Sequence, residues 1–269
     1  MPKAIKQGFQ ELRLLYKYGF RDYLEVKRIS KFKRYNIFST NILRRQIVSY
    51  DSASFLSQYI QIFKREIYNF NSDTKNPYIV DCGANIGLST IYLKQIFPRA
   101  EIISFEPDAV LFKLLTTNLK HFGLDDVTII NKGLWDKDDR IAFYGKGDDA
   151  GRIITDEKAD NKYDYIEVTT LRPFLKRKVD LLKIDIEGAE YTVINDISDL
   201  LPNVEKIFVE YHSYANSPQE LDKILGILKK ADFRYYIESS GKNDNPFIHL
   251  NKKRGLDNRL NIFGFRQPH

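Results

Sequence analysis

Tyr78-Ile79-Val80-Asp81-Cys82-Gly83-Ala84-Asn85-Ile86-Gly87 is the stretch on which the fold turns. Its three leading apolar residues form a short strand ending at Asp81. Gly83 and Gly87 let the backbone turn sharply and approach a ligand closely. Leu88 to Phe97 reads as a helix stopped by Pro98. A strand, a glycine loop and a helix in this order put helix N–H groups beside the carboxyl end of the strand, where open α/β sheets bind their ligands.

The same alternation continues downstream. Glu101-Ile102-Ile103-Ser104-Phe105 is a second strand, closed by Glu106-Pro107. Asp108 caps a helix to about His121, and Gly123 lies just beyond its end. Val127 to Ile130, Asp180 to Ile184 and Lys206 to Val209 read as three more strands. Helices follow the last two, near Ala189–Leu201 and Ser217–Ala231. Strands alternating with helices imply a parallel sheet covered on both faces. Two places break the pattern. Arg140–Tyr144 and Tyr165–Thr169 read as an inserted antiparallel hairpin around a Gly/Asp-rich loop, Gly145 to Gly151. Phe233–Glu238 and Asn261–Phe265 read as a closing antiparallel pair. The fold expected is an α/β, Rossmann-like sheet of seven strands with a helical N-terminal extension and an inserted β-hairpin.

Upstream, Ile5, Phe9, Leu12, Tyr16 and Phe20 recur about once per helical turn. Phe55, Tyr59, Ile62, Phe63, Ile67 and Phe70 form a second stripe, with Asp51 as its N-cap. The polar run Asn71 to Pro77 follows, so residues 1–74 are expected as a helical basic region and 75–269 as the catalytic domain. The net charge of +6 is unevenly placed. Residues 1–70 hold 14 Lys+Arg against 5 Asp+Glu, or +9, and the remainder holds 28 against 31, or −3. A basic, aromatic region fits an anionic membrane surface, a lipid-linked acceptor or a second copy of the chain in a homodimer, as well as a solvated helical face. A single cysteine, Cys82, excludes a disulfide framework and a cysteine-based zinc site. No apolar run reaches the ~18 residues of a membrane helix and the start shows no signal core, so a cytoplasmic protein, peripheral to the membrane at most, is expected.

The loop also separates candidate cofactors. Glu106, at the end of the second strand, can accept both hydrogen bonds of a ribose diol, which implies an adenosine group. A dinucleotide fingerprint would read G-x-G-x-x-G, but Asn85 stands two places after Gly83. Asp81 would repel a pyrophosphate and suit a cationic methionyl group. S-adenosyl-L-methionine is therefore favoured over NAD.

These segments resemble the FkbM-type methyltransferases. The likeness rests on Asp81 to Gly87, on Phe105-Glu106-Pro107, on Leu182-Lys183-Ile184-Asp185-Ile186-Glu187-Gly188-Ala189-Glu190 and on Glu210-Tyr211-His212. It runs from about Tyr78 to His212, with Cys82 where an aliphatic residue is common. The resemblance implies S-adenosyl-L-methionine and transfer to oxygen, often to sugar hydroxyls of glycans or to secondary metabolites. The cofactor set expected is Asp81, Gly83, Ala84, Asn85, Gly87, Glu106, Pro107 and Asn131. A small-molecule or glycan acceptor is expected and nucleic acid is not. The absence of an Asn/Asp-Pro-Pro-Tyr/Phe motif counts against amino-group methylation. RNA or protein methylation and a non-catalytic cofactor-fold module are the alternatives.

Asp185 ends the fourth strand, and Glu210 and His212 stand at the mouth of the fifth. A neutral alcohol is a weak nucleophile, so a base worth ~10²–10⁴-fold is sought among them. His212 or Asp185 is the candidate, with Glu210 orienting His212. Lys183 reads equally as a structural ion pair. Asp185, Glu187, Glu210 and His212 also offer metal-ligand types, but the base is preferred and no metal is expected.

Overall fold

The computed structural model describes residues 19–144, 152–153, 164–215, 217–240, 247 and 256–266. The helical stripe from Ile5 lies mostly outside them, as does the Gly145–Gly151 loop. The chain opens with helix α1 (Phe20–Ile29), a hairpin of β1 (Phe38–Thr40) and β2 (Ile47–Ser49), and helix α2 (Ser52–Tyr59). A π-helical turn, Ile60–Lys64, extends α2. The main sheet then begins with β3 (Tyr78–Cys82), followed by α3 (Leu88–Ile96), β4 (Glu101–Phe105), α4 (Ala109–His121) and β5 (Thr128–Ile130). An inserted segment carries β6 (Gly133–Leu134), β7 (Asp139–Tyr144), β8 (Arg152–Ile153) and β9 (Asp164–Thr169). The sheet resumes with β10 (Leu181–Ile184), α5 (Glu190–Asp196), β11 (Lys206–Tyr214), α6 (Leu221–Lys230), β12 (Arg234–Ser239) and β13 (Leu256–Phe265).

The expected seven strands are present, in the order β12-β13-β11-β10-β3-β4-β5. β3, β4, β5, β10 and β11 run parallel, and β13 wedges antiparallel between β11 and β12. Chain order reverses between β3 and β10, which opens a crevice at their carboxyl ends. Residues on successive strand positions enter opposite cores. Ile79, Ile102 and Leu181 pack under α3 and α4, and Val80, Leu182 and Ile184 pack under α5 and α6.

The inserted segment is more than the hairpin expected. β7 and β9 pair antiparallel as read, but β6 and β8 join them in a four-stranded sheet. The N-terminal region mixes its helices with the β1–β2 hairpin. Its apolar residues Ile29, Phe38, Ile47, Phe55 and Tyr59 share one core with α3 and α4. Buried Asn118 of α4 secures the hairpin, accepting from Val48 N at 2.8 Å and donating to Val48 O at 2.9 Å. Both acidic N-caps hold. Asp51 accepts from Ala53 N, and Asp108 accepts from Val110 N and Leu111 N, a contribution of ~1 kcal/mol per cap. Among the described residues no helix is long and apolar enough to cross a membrane.

Candidate active site

A cleft of about 1160 Å³, open mouth included, lies over the β3/β10 crevice. Its floor holds Gly83, Ala84 and Asn85 from the loop after β3, and Glu106 and Pro107 after β4. β6 and β9 wall one side with Gly133, Leu134 and Ile166. α2 and the π turn wall another with Ser54, Ser57, Gln58 and Gln61. Asp185, Glu187, Glu210 and Arg259 line the far end.

The loop after β3 is held by its own backbone. Gly83 N and Ala84 N both donate to Phe105 O, at 3.0 and 2.8 Å. Asn85 takes the left-handed conformation, φ 52, which Asn tolerates better than most residues. Its N–H donates to Glu106 Oε2 at 2.8 Å, and Asp108 N donates to Glu106 Oε1 at 2.9 Å. Burial still lifts the Glu106 carboxyl to about 8, against the pull of those two N–H groups. Each Glu106 oxygen keeps lone-pair capacity toward the cleft, as a ribose diol requires.

Asp81 stands one layer behind, and Lys183 reaches the cleft wall between it and Asp185. Asp81 is fully buried and does not line the cleft. Its Oδ2 accepts from Ser89 Oγ at 2.6 Å and Thr90 Oγ1 at 2.9 Å, and its Oδ1 faces Lys183 Nζ at 3.1 Å. Lys183 Nζ also donates to Gly83 O at 2.9 Å and Cys82 O at 3.3 Å. Burial disfavours the Lys183 charge, but Asp81, Tyr68 and Asp185 outweigh it and raise its pKa. Of the two readings of Lys183, the geometry supports the structural ion pair. Direct reception of a methionyl cation by Asp81 does not fit a carboxylate that is fully buried and does not line the cleft.

Asn131 likewise supports from behind. Its Nδ2 donates to Glu106 O at 2.8 Å and Pro107 O at 3.1 Å, fixing the backbone that carries the acid. Gly87 lies outside the cleft and starts α3 at φ 91. Cys82 is buried as a small hydrophobe.

The acceptor end departs from expectation in one respect. Glu210 does not orient His212. Its Oε1 instead accepts from Ser240 Oγ at 2.9 Å and meets Arg259 Nε at 3.1 Å. The partner of His212 Nδ1 is Glu190 Oε1, at 2.9 Å, and this oxygen also accepts from Gly188 N. The chain can bring Glu190 there because Glu187 and Gly188 are left-handed, φ 55 and 104. That bend also aims Glu187 at His212 Nε2, 3.5 Å away, and at Tyr214 Oη, 2.9 Å away. A glutamate held in this backbone region stores strain of ~1–3 kcal/mol, which is more common at functional sites. His212 is 4% exposed and lies behind Glu187.

The carboxylates crowd one another. Burial and the charge of Glu210 lift Asp185 to about 6, opposed by Lys183, His212 and Arg259. Burial and the charge of Asp185 lift Glu187 to about 8, opposed mainly by His212. Burial pulls the His212 pKa down, but Glu187, Glu190 and Glu210 together carry it well above the usual imidazole value. Tyr68, Arg259, Glu190 and the polar face of α2 escape the sequence reading. Ser54, Ser57, Gln58 and Gln61 recur at helical spacing opposite the apolar stripe, and that was their signal.

A doubly wound sheet, a glycine turn at its switch point and an acid at the next strand end define an adenosine-binding α/β enzyme. The family model described as Methyltransferase FkbM domain matches residues 81–235, more than half of the chain, and the chain belongs to that family. It is similar to Methyltransferase sdnD of Sordaria araneosa, 27% identical over 176 residues covering 52% of this chain and 68% of that protein. It is also similar to 2-O-methyltransferase NoeI of Sinorhizobium fredii, 26% identical over 166 residues, covering 54% of this chain and 65% of the relative. Among solved structures it resembles methyltransferase FkbM from Methylobacillus flagellatus KT, with 18% identity and a TM-score of 0.47 over 72% of this chain and 45% of that one. The protein is a methyltransferase, and S-adenosylmethionine is its cofactor. The residues present fit that group. Glu106 offers two carboxylate oxygens to a ribose, and Gly83 lacks the Cβ that would crowd the loop.

Proposed function

We propose that the chain moves a methyl group from S-adenosylmethionine to a hydroxyl oxygen of a saccharide or glycan-type acceptor. The observation that carries this reading is the composition of the far end of the cleft. Asp185, Glu187 and Glu210 crowd it, and hydroxyl and amide side chains of α2 face it. Carboxylates repel a phosphate backbone and accept hydrogen bonds from a polyhydroxylated ligand. The printed name of NoeI, a 2-O-methyltransferase, agrees with an oxygen acceptor.

The chain's residues divide the work. Glu106 holds the ribose, and the Gly83-Ala84-Asn85 turn lies against the rest of the cofactor. The bound cofactor supplies an electrophilic methyl on a sulfonium, which is already a good leaving group. Asp185 and Glu210 receive the acceptor hydroxyls, and Asp185, which is not held by an arginine, takes up the one proton that the reacting alcohol loses. His212 and Glu190 stand behind Glu187 and set its direction. Positioning of this kind can supply ~7–11 kcal/mol of the barrier reduction. The basic residues ahead of the cleft suit an acceptor carried on an anionic lipid.

Incubation of the full chain with methyl-labelled S-adenosylmethionine and separate pools of oligosaccharide, glycolipid, RNA and protein tests the proposal. Alkali-stable label in the saccharide pools is expected. Label confined to RNA or protein would refute it.

Glu106 allows a separate test of the cofactor side. Glu106→Ala should weaken S-adenosylhomocysteine binding by ~1.5–3 kcal/mol, about tenfold to over a hundredfold, because hydrogen bonds to a charged group are lost. The affinity should also depend on pH in a definite direction. With its pKa raised to about 8 in the free protein, the carboxyl is mostly protonated at pH 7. Ribose hydroxyls donate best to the ionised form, so binding releases a proton. Affinity should rise by up to about tenfold per pH unit toward pH 8 and then level off. Calorimetry from pH 6.5 to 9 measures this, and Glu106→Gln should flatten the profile. A rising profile that persists in Glu106→Gln would assign the proton elsewhere.

A further inference from the structure

Three features of His212 suit a metal ligand. It is 4% exposed, and its Nε2 makes no hydrogen bond among the described residues. Its Nδ1 is fixed by Glu190 at 2.9 Å. A carboxylate hydrogen-bonded to one ring nitrogen, with the other making no hydrogen bond and only a 3.5 Å approach to Glu187, is an arrangement that orients a metal-binding histidine and raises its basicity. The bare nitrogen faces carboxylates. One ligand atom each from Asp185, Glu187 and His212 lie within 4.8 Å of one another.

The local charge balance points the same way. Five carboxylates lie around Lys183, Arg259 and the His212 imidazole: Asp81 and Asp185 at Lys183, Glu210 at Arg259, and Glu187 and Glu190 at His212. Lys183 is bound to Asp81 and two carbonyls behind the loop, and Arg259 is bound to Glu210. Glu187 is held toward His212 by a left-handed backbone, by Tyr214 Oη and by the imidazole itself, with Asp185 close by. A cation at this point would give the buried Nε2 a partner and relieve the repulsion between the acids.

We propose that Asp185, Glu187 and His212 bind a divalent metal ion, and that the ion fixes the acceptor hydroxyl at the far end of the cleft. The second part rests on the acceptor reading above. Two carboxylates with one imidazole suit an ion that takes both oxygen and nitrogen, such as Mn²⁺, better than Ca²⁺ with its all-oxygen preference. Asp185 and Glu187 line the cleft beside Glu210, so an alcohol oxygen in the cleft could reach an ion held there. This proposal departs from the expectation of a metal-free histidine base.

The test uses the full chain saturated with S-adenosylhomocysteine and titrated with Mn²⁺, the unbound ion being read by electron paramagnetic resonance. One ion per chain is expected. His212→Ala should weaken binding at least tenfold. Glu190→Gln, which alters only the group behind the ligand, should weaken it by about 10–100-fold. Retained S-adenosylhomocysteine affinity and melting temperature in the variants would show that they are folded. If His212→Ala does not fold, Glu190→Gln carries the test. Absence of binding at millimolar Mn²⁺ would overturn the proposal. So would binding that both folded variants leave unchanged, since the ion would then sit on a general acidic surface. The titration contains no acceptor, so its failure leaves the saccharide assignment standing, and failure of the saccharide assay leaves the ion site standing.

Discussion

Lys183→Met is expected to lower the unfolding free energy by about 3–5 kcal/mol, the loss typical when one member of a buried ion pair is removed. Asp81 and Lys183 side chains are 0% and 2% exposed, so the carboxylate left behind would be buried without its cation. Ser89 and Thr90 would remain as donors to Asp81 Oδ2, but Oδ1 would face methionine. The carbonyls of Cys82 and Gly83 would lose a donor as well. The double variant Lys183→Met/Asp81→Asn should recover much of the loss, because replacing both members of such a pair is far less costly than orphaning one. Urea unfolding measures both. A single variant within 1 kcal/mol of wild type would show that the pair does not hold the loop.

Gly83→Ala should be nearly as damaging and should remove cofactor binding. A Cβ at this position would lie 1.8 Å from the carbonyl oxygen of Asp185 and 3.0 Å from its carbon. Both are backbone atoms at the end of β10 and cannot rotate away. The left-handed φ of 83 adds ~1–2 kcal/mol for any residue with a Cβ. Overpacking adds ~1–3 kcal/mol more, for a total of about 2–5 kcal/mol. Any relief must separate the β3 and β10 loops, and those loops form the floor of the cleft. Gly226 is a control of opposite sign. It lies within α6 with nothing within 4 Å of an added Cβ, so Gly226→Ala should stabilise by ~0.5–1 kcal/mol. Thermal unfolding and S-adenosylhomocysteine calorimetry on the two variants check the contrast.

The parts of this molecule that local chemistry determines were legible without coordinates. Apolar triplets ending in Asp81 and Glu106, the Asp51 and Asp108 caps and the glycine turn each carry their reason within a few residues. Glu106 stands in the cleft for the same reason. The misreadings are non-local. β11 was read as ending at Val209 because Glu210 and His212 are polar. β13 extends the pairing to Tyr214, so that Glu210 faces Asn261 and His212 faces Arg259 across the ladder. Glu190 lay within the quoted string, but its contact with His212 depends on the bend at Glu187 and Gly188, which no periodicity announces. Asp81 suited a cationic ligand by charge alone. Its actual partner, Lys183, is its register mate on the neighbouring strand β10, and sequence spacing says nothing of register.

The wedge of β13 between β11 and β12 also governs how the protein is made. Synthesis proceeds from β3 onward, so β4, β5, β10 and β11 leave the ribosome before residues 256–265 exist. Until then β11 presents an unsatisfied edge, with Glu210 and His212 on it and Arg259 not yet available. Such an edge is a template for foreign strands. The nascent chain therefore passes through an interval in which the far wall of its cleft is both incomplete and adhesive. A chaperone acting on this protein would be needed most in that interval, and the Glu106 half of the cleft would be built before the Glu210 half.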